Sequence, residues 1–169
     1  MDNEKRRSAD GQLERVLSFF PRVDTKISIL IGINLAMLGY LAVHLTPIVH
    51  LVWYALFAVA ACVALAVSMW FLYKASFPNL RGGHDSLIFF GTISQMTEHQ
   101  YITDFIALDD AAYSSDVLGQ VHRNSQILAA KYRYIQISHI SLMVGAVFWV
   151  LYLSCYALFF VSKMTLVVH

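Results

Sequence analysis

Two long stretches of this chain lack charge altogether. No Asp, Glu, Lys or Arg falls between Ile27 and Tyr73, and none between Tyr134 and Ser162. Charged residues make up only 14% of the sequence against 58% hydrophobic, and the mean hydropathy is +0.58. Globular chains carry about 25% charged residues, so an ordinary soluble domain is excluded: one small core could not hide this much apolar surface. Cysteine is scarce as well. Cys62 and Cys155 both fall inside the charge-free stretches, which implies no disulfide framework. Catalytic motifs are missing: the chain has no G-x-S-x-G, P-loop, H-E-x-x-H or C-x-x-C pattern. Its seven histidines show no metal-ligand spacing. His84-Asp85-Ser86 contains triad residue types, but neighbours in a chain do not converge on one reacting atom. These absences argue against an enzyme, and no cofactor or metal is expected.

What is present is the material of a membrane protein. A charge at a helix centre costs about 2.5–3.5 kcal/mol on insertion, so a bilayer selects charge-free runs. The first run breaks at Thr46-Pro47, because proline lacks an N–H and stops a helix. The chain therefore reads as an all-α membrane protein with three transmembrane helices, about 27–45, 49–73 and 134–161. About 20 residues cross a hydrocarbon core of about 30 Å, so the first span just suffices and the others can tilt. The first span is too long for a signal-peptide h-region and reads as retained. Around the spans lie a segment 1–26 with an amphipathic helix, a helical region 74–133, and a short tail in 134–169.

Orientation follows from the basic residues. Lys5, Arg6, Arg7, Arg15, Arg22 and Lys26 precede the first span; Lys74, Arg81, Arg123, Lys131 and Arg133 lie in the 74–133 loop. Only Lys163 falls elsewhere. The positive-inside rule then puts the N-terminus and the large loop in the cytoplasm and the C-terminus outside. The formal net charge of +1 gives no reason to infer nucleic-acid binding.

Residues 1–10 are polar and read as disordered. Leu13, Val16, Leu17 and Phe20 have helical spacing, giving an amphipathic helix over 12–20 ended by Pro21. It either lies on the inner headgroups or, the preferred reading, docks on the cytoplasmic loop. Asp24 or Thr25 is placed to cap the first span, with Arg22 and Lys26 either anchoring at headgroups or contacting a ligand. Asn34 lies about 10 Å into the span and must face protein or water, as helix–helix glue or as a pore-lining group. Gly32 and Ala36, continued by Gly39 and Val43, form a face for close helix approach; Ala60 and Ala64 do so in the second span, and Ser138, Ser141 and Gly145 in the third. Trp53, Tyr54, Trp70, Tyr73, Tyr132 and Tyr134 fall at interface depths. Between the spans, 78–83 is a loop and 87–93 a short apolar element. Thr97 and Gln100 form a capping box for a helix to about Leu108. After a break at Asp109-Asp110, a helix from about Ser115 runs unbroken through the third span, about 70 Å long. His139 reads as packed or snorkelling rather than as a proton relay.

Phe20-Pro21-Arg22-Val23-Asp24-Thr25-Lys26 runs into a span holding Asn34. Pro78 follows the second span, then Phe89-Phe90-Gly91-Thr92-Ile93, then Lys131-Tyr132-Arg133 before the last span. In this order, around three spans and over about residues 12–160, the chain resembles the transmembrane effectors of Pycsar antiphage systems. The resemblance implies a non-enzymatic effector of a bacterial inner membrane. It would sense a cyclic pyrimidine mononucleotide, cyclic CMP or cyclic UMP, made by a partner pyrimidine cyclase that need not touch it. It would then damage the host membrane.

About 60 cytoplasmic residues are too few for a large β-roll nucleotide domain, so any pocket is compact or shared between subunits. A cyclic phosphate is met best by Arg or a helix N-terminus. Candidate ligand contacts are Arg22, Asp24, Lys26, Arg81, Asn124, Lys131 and Arg133, with Arg123 a further cation and Tyr101, Tyr113 and Tyr132 as base-stacking candidates. For each basic residue a membrane-surface anchor or a solvated charge is the preferred reading. Three spans cannot line an aqueous path alone, so homo-oligomers are expected. Two other readings stand: a scaffold acting through 79–133, and a small channel or transporter subunit, weakened by the lack of charge in any span.

Overall fold

A computed structural model describes residues 2–44, 52–77 and 86–167 of the chain. These residues form six helices and no strand: α1 (Asp2–Leu17), α2 (Phe19–His44), α3 (Val52–Ser76), α4 (Phe90–Ile93), α5 (Glu98–Ala107) and α6 (Asp110–Val167). Three of the helical stretches are long and apolar enough to cross a membrane. The turn at Thr46-Pro47 and the 78–83 loop, with Arg81 in it, lie outside the described residues.

The N-terminal end differs from expectation. Helix α1 begins at Asp2, so residues 2–10 are helical rather than disordered, and Ala9 is buried. Pro21 does not end a helix; it sits in the first turn of α2. There an N–H would have no intrahelical acceptor anyway, so proline costs nothing. The break falls at Ser18, whose N–H donates to the Glu14 carbonyl and whose hydroxyl donates to that of Arg15. Asp24 and Thr25 are therefore interior residues of α2, not caps. The remaining start signals act as read. The Thr97 hydroxyl accepts from the Gln100 N–H at 3.3 Å, and α5 begins at Glu98. Asp109 Oδ1 accepts from the Ala112 N–H at 2.7 Å, which starts α6 at Asp110, five residues before Ser115. From there α6 continues unbroken into the third span.

The chain divides into two compact units: Met1–Asp24 with Pro78–Lys131, and Thr25–Phe77 with Tyr132–His169. The second unit is built from the three spans. Its buried residues recur at alternating steps of four and three: Tyr54, Ala58, Ala61, Leu65, Ser68, Leu72 and Ala75 on α3. Ile27, Leu30, Asn34 and Leu41 on α2, and Ile135, Ser138, Leu142, Gly145 and Tyr152 on α6, keep the same beat. A 3.5-residue repeat is what knobs-into-holes packing of supercoiled helices requires. The outward faces are apolar too: Ile33, Val63, Val67, Met143 and Val147 are among the exposed side chains. Helices hydrophobic all round belong in lipid. Gly145 permits the close packing, since a Cβ there would meet Leu65 at 3.2 Å and Ala64 at 3.4 Å. Gly32 and Gly39 have open space and Ala36 is exposed, so that face points away from the unit's interior. Ser141, Ala60 and Ala64 are half-buried. Trp70, Tyr73 and Tyr132 are exposed, as interface residues are, but Tyr54 is buried and its hydroxyl donates to that of Tyr152 at 2.6 Å. His139 is exposed.

The first unit packs α1 and the start of α2 against the upstream half of α6. Arg6 pairs with Asp110 at 3.1 Å, the Tyr113 hydroxyl donates to Asp10, and Lys131 reaches Asp24. These contacts advance together along both strips, so the two run side by side in the same direction. The N-terminal helix therefore docks on the loop region. Ser86 caps the 86–89 turn by accepting from the N–H groups of Ile88 and Phe89. At Gly91 a Cβ would sit 2.5 Å from the Phe89 ring, which explains a glycine after two phenylalanines.

Candidate functional site

Two polar constellations stand out, one in each unit. In the first unit the inward seam of α6 carries Val117, Gln120, Asn124 and Lys131, spaced three, four and seven apart, on one helix face. Gln120 is buried and its amide donates to the Ser86 hydroxyl at 2.9 Å. Asn124, half-buried one turn on, donates to the Gln120 carbonyl at 2.8 Å. Asp116 accepts from the Leu87 N–H. At the end of this seam the Lys131 ammonium lies 2.6 Å from Asp24 Oδ1 and 5.6 Å from the Phe20 ring centroid. Its side chain is only 7% exposed, whereas that of Asp24 is 55% exposed. A buried ammonium needs such a partner; the Asp24-x-Lys26 motif and the Lys131-Tyr132-Arg133 motif thus meet through the first residue of each.

Arg22 is exposed, its guanidinium 5.7 Å from the Phe19 ring centroid. Lys26 and Arg133 belong to the second unit; Lys26 lies 5.9 Å from the Tyr132 ring centroid and Arg133 is exposed. Of the sequence candidates, the first unit therefore gathers Asp24, Asn124 and Lys131 along one packed seam, with Arg22 on the same helix as Asp24. Tyr113 lies elsewhere in that unit, between Arg6 at 4.5 Å and Asp10. Burial and the Asp10 hydrogen bond raise its pKa above the ordinary value, and Arg6 opposes the shift. Tyr101 packs on Phe105.

In the second unit, Asn34 meets two serines. Its amide nitrogen donates to the Leu30 carbonyl at 2.8 Å and to the Ser68 hydroxyl at 3.1 Å; Ser68 and Ser138 hydroxyls lie 2.9 Å apart. One residue comes from each span, and all three are 0% exposed. Asn34 Oδ1 has no hydrogen-bond partner. Interhelical hydrogen bonds in membranes average about 0.6 kcal/mol, while an unsatisfied buried acceptor costs about 1–3 kcal/mol. The triad fixes register without strongly locking the helices. Sequence reasoning found Asn34 and Ser138 but missed Ser68, as it missed Ser86 and Gln120. The 3.5-residue beat around Leu65-x-x-Ser68-x-x-x-Leu72 is the signal that would have found it.

One helix of the first unit is lightly packed, held by an edge-on contact of Phe105 with the Tyr113 ring at 6.3 Å. Helix α5 buries no residue, and it exposes Ile102, Phe105 and Ile106, the last 78% exposed.

Among protein families, the Pycsar effector protein domain matches residues 8–158, taking in both units. The chain belongs to this family. No curated protein and no solved structure matches it. Membership supports a role as an antiphage Pycsar effector, and with the three apolar helices it makes the chain a multi-pass membrane protein. It also links the chain to cyclic pyrimidine signalling.

Proposed function

We propose that the chain is an antiphage effector that responds to cyclic CMP or cyclic UMP and impairs the bacterial inner membrane as a homo-oligomer. The observation that carries this reading is the match to the Pycsar effector domain across both units. The cytoplasmic side holds the N-terminus and residues 74–133, because eleven of the twelve Lys and Arg residues flank the spans there. A pyrimidine cyclase supplies the signal without needing to touch the effector. The ligand region lies in the first unit, along the seam of Asp24, Asn124 and Lys131, with Arg22 near it in sequence. A cyclic phosphate carries one negative charge and competes with Asp24 for the Lys131 ammonium. Such competition gives the ligand differential affinity for two arrangements of that seam, which is the requirement for a population shift. Arg81, Lys26 and Arg133 are further candidates, each equally suited to headgroup anchoring.

The test is dye leakage from liposomes holding the purified protein, with cyclic CMP, cyclic UMP, cyclic AMP or no ligand. Leakage with one cyclic pyrimidine and not with cyclic AMP supports the reading, and neutral substitutions at Arg22, Arg81 and Lys131 then map the contacts. Leakage without ligand points instead to a constitutive channel subunit. A second reading, a scaffold that recruits a partner through its cytoplasmic region, is favoured by the exposed apolar face of α5. It predicts tight vesicles under every ligand.

A further inference from the structure

We propose that Asn34, Ser68 and Ser138 line the aqueous path through the bilayer when the effector opens, so that the polar triad holding the spans together is also the lining of the pore. The inference rests on the reading that the chain permeabilises membranes. Three observations point to it. Asn34, Ser68 and Ser138 form one buried polar cluster, one residue from each span, at one level of the seam; the buried Tyr54 and Tyr152 hydroxyls lie fourteen residues away along α3 and α6 and are bonded to each other and to the His44 carbonyl. One turn away along each helix the seam is apolar again, with Leu30 on α2, Leu65 and Leu72 on α3, and Ile135 and Leu142 on α6. The closed arrangement is thus apolar immediately on both sides of this polar layer. Finally, Asn34 Oδ1 accepts nothing, although it is fully buried. A water donor would complete it.

Separating the helices breaks weak hydrogen bonds. It cannot leave the freed amide and hydroxyls against lipid tails, where no donor or acceptor exists. The only stable destination for these three groups is water. Opening therefore turns the triad toward a wet lumen assembled from several copies, while the outward apolar faces stay in lipid. An amide and hydroxyl lining bears no charge, so the path discriminates little between cations and anions. An acidic group in the same place would force hydration of the layer, because a carboxylate there cannot remain dry.

The test uses the full chain in dye-loaded vesicles, in two arms. In the first, Ser68→Asp is assayed with no nucleotide, after circular dichroism and flotation have shown a helical, inserted protein. The expected result is spontaneous leakage with a preference for cations. In the second, Ser138→Cys is made in a Cys62→Ala, Cys155→Ala background and treated with a charged, water-borne methanethiosulfonate, with and without cyclic CMP or cyclic UMP. A hydrated thiolate attacks the reagent's sulfenyl sulfur, forming a mixed disulfide and releasing methanesulfinate, so the expected result is modification at least about tenfold faster under leaking conditions. Tight vesicles from inserted Ser68→Asp overturn the proposal whether or not nucleotide recognition holds. So does a Ser138→Cys thiol that stays unmodified while dye escapes.

Discussion

The two units of this chain solve the same problem in opposite ways. In the unit of 25–77 and 132–169, the buried polar side chains are uncharged, Lys26, Lys74 and Arg133 lie at the ends of the spans, and the outward faces between are apolar. In the unit of 1–24 and 78–131, the polar groups are many, the seam ends in a buried ammonium, and charges dominate the outside. Both are packed by helices on the same 3.5-residue beat, so the difference does not arise from backbone architecture. It arises from the solvent each unit faces. Lipid offers nothing to a polar group, so the spans turn theirs inward and pair them within the layer. Water solvates the Asp24 carboxylate even while that carboxylate holds Lys131 in the interior. On the proposed function, a ligand carrying charge acts on the first unit and a change of hydration acts on the second.

Substitutions should break this comparison unequally. Asp24→Asn leaves Lys131 buried without its counter-ion. Removing one partner of a fully buried pair costs about 3–5 kcal/mol; because Asp24 is half in water, a loss of about 2 kcal/mol is expected, read as a lower melting temperature of the protein in detergent or nanodiscs. Gly145→Leu forces a side chain against Leu65 and Ala64 and should cost about 1–3 kcal/mol, whereas Gly32→Leu, which meets open space, should leave the thermal melt unchanged. Asn34→Leu removes two hydrogen bonds together with the unsatisfied Oδ1. These effects oppose one another, so stability should move by under about 1 kcal/mol while the measured register of the spans, by cysteine cross-linking, loosens.

The smallest effect concerns alkaline pH. Tyr113 titrates above its ordinary value because burial and Asp10 favour the protonated phenol. With the folded pKa raised, its contribution to stability is fully present below the unfolded value of about 10 and is lost as pH rises through the folded one. Amide exchange in the first unit should accelerate above that value in the native chain, and less so in Tyr113→Phe. An equal alkaline loss in both proteins would remove the tyrosine from the account.

The spans were legible because charge-free runs are a direct consequence of the bilayer. The break before α6 and the start of α5 were legible from Asp109 and Thr97, whose caps act within three residues. The N-terminus was not. Pro21 reads as a stop only if one assumes that a helix has already begun; placed in the first turn of a new helix, it carries no such meaning. The small-residue stripes divided: Gly145 and Ser138 face inward while Gly32 and Ala36 face out. That depends on which face three helices choose, and residue size alone does not set it. Of the ligand candidates, Asp24 and Lys131 were found separately by motif, yet their pairing across 107 positions has no local signature. Lys131 reads from the sequence as a candidate phosphate contact, and the structure adds that Asp24 pairs with it.

The most direct test of the central claim is membrane potential in cells expressing this effector, read with a voltage-sensitive dye, with and without a co-expressed pyrimidine cyclase. The account predicts a normal potential with the effector alone and collapse when the cyclase is active, blunted by Ser138→Trp in the polar layer. Collapse without the cyclase, or an intact potential despite abundant cyclic pyrimidine nucleotide and inserted effector, would contradict it.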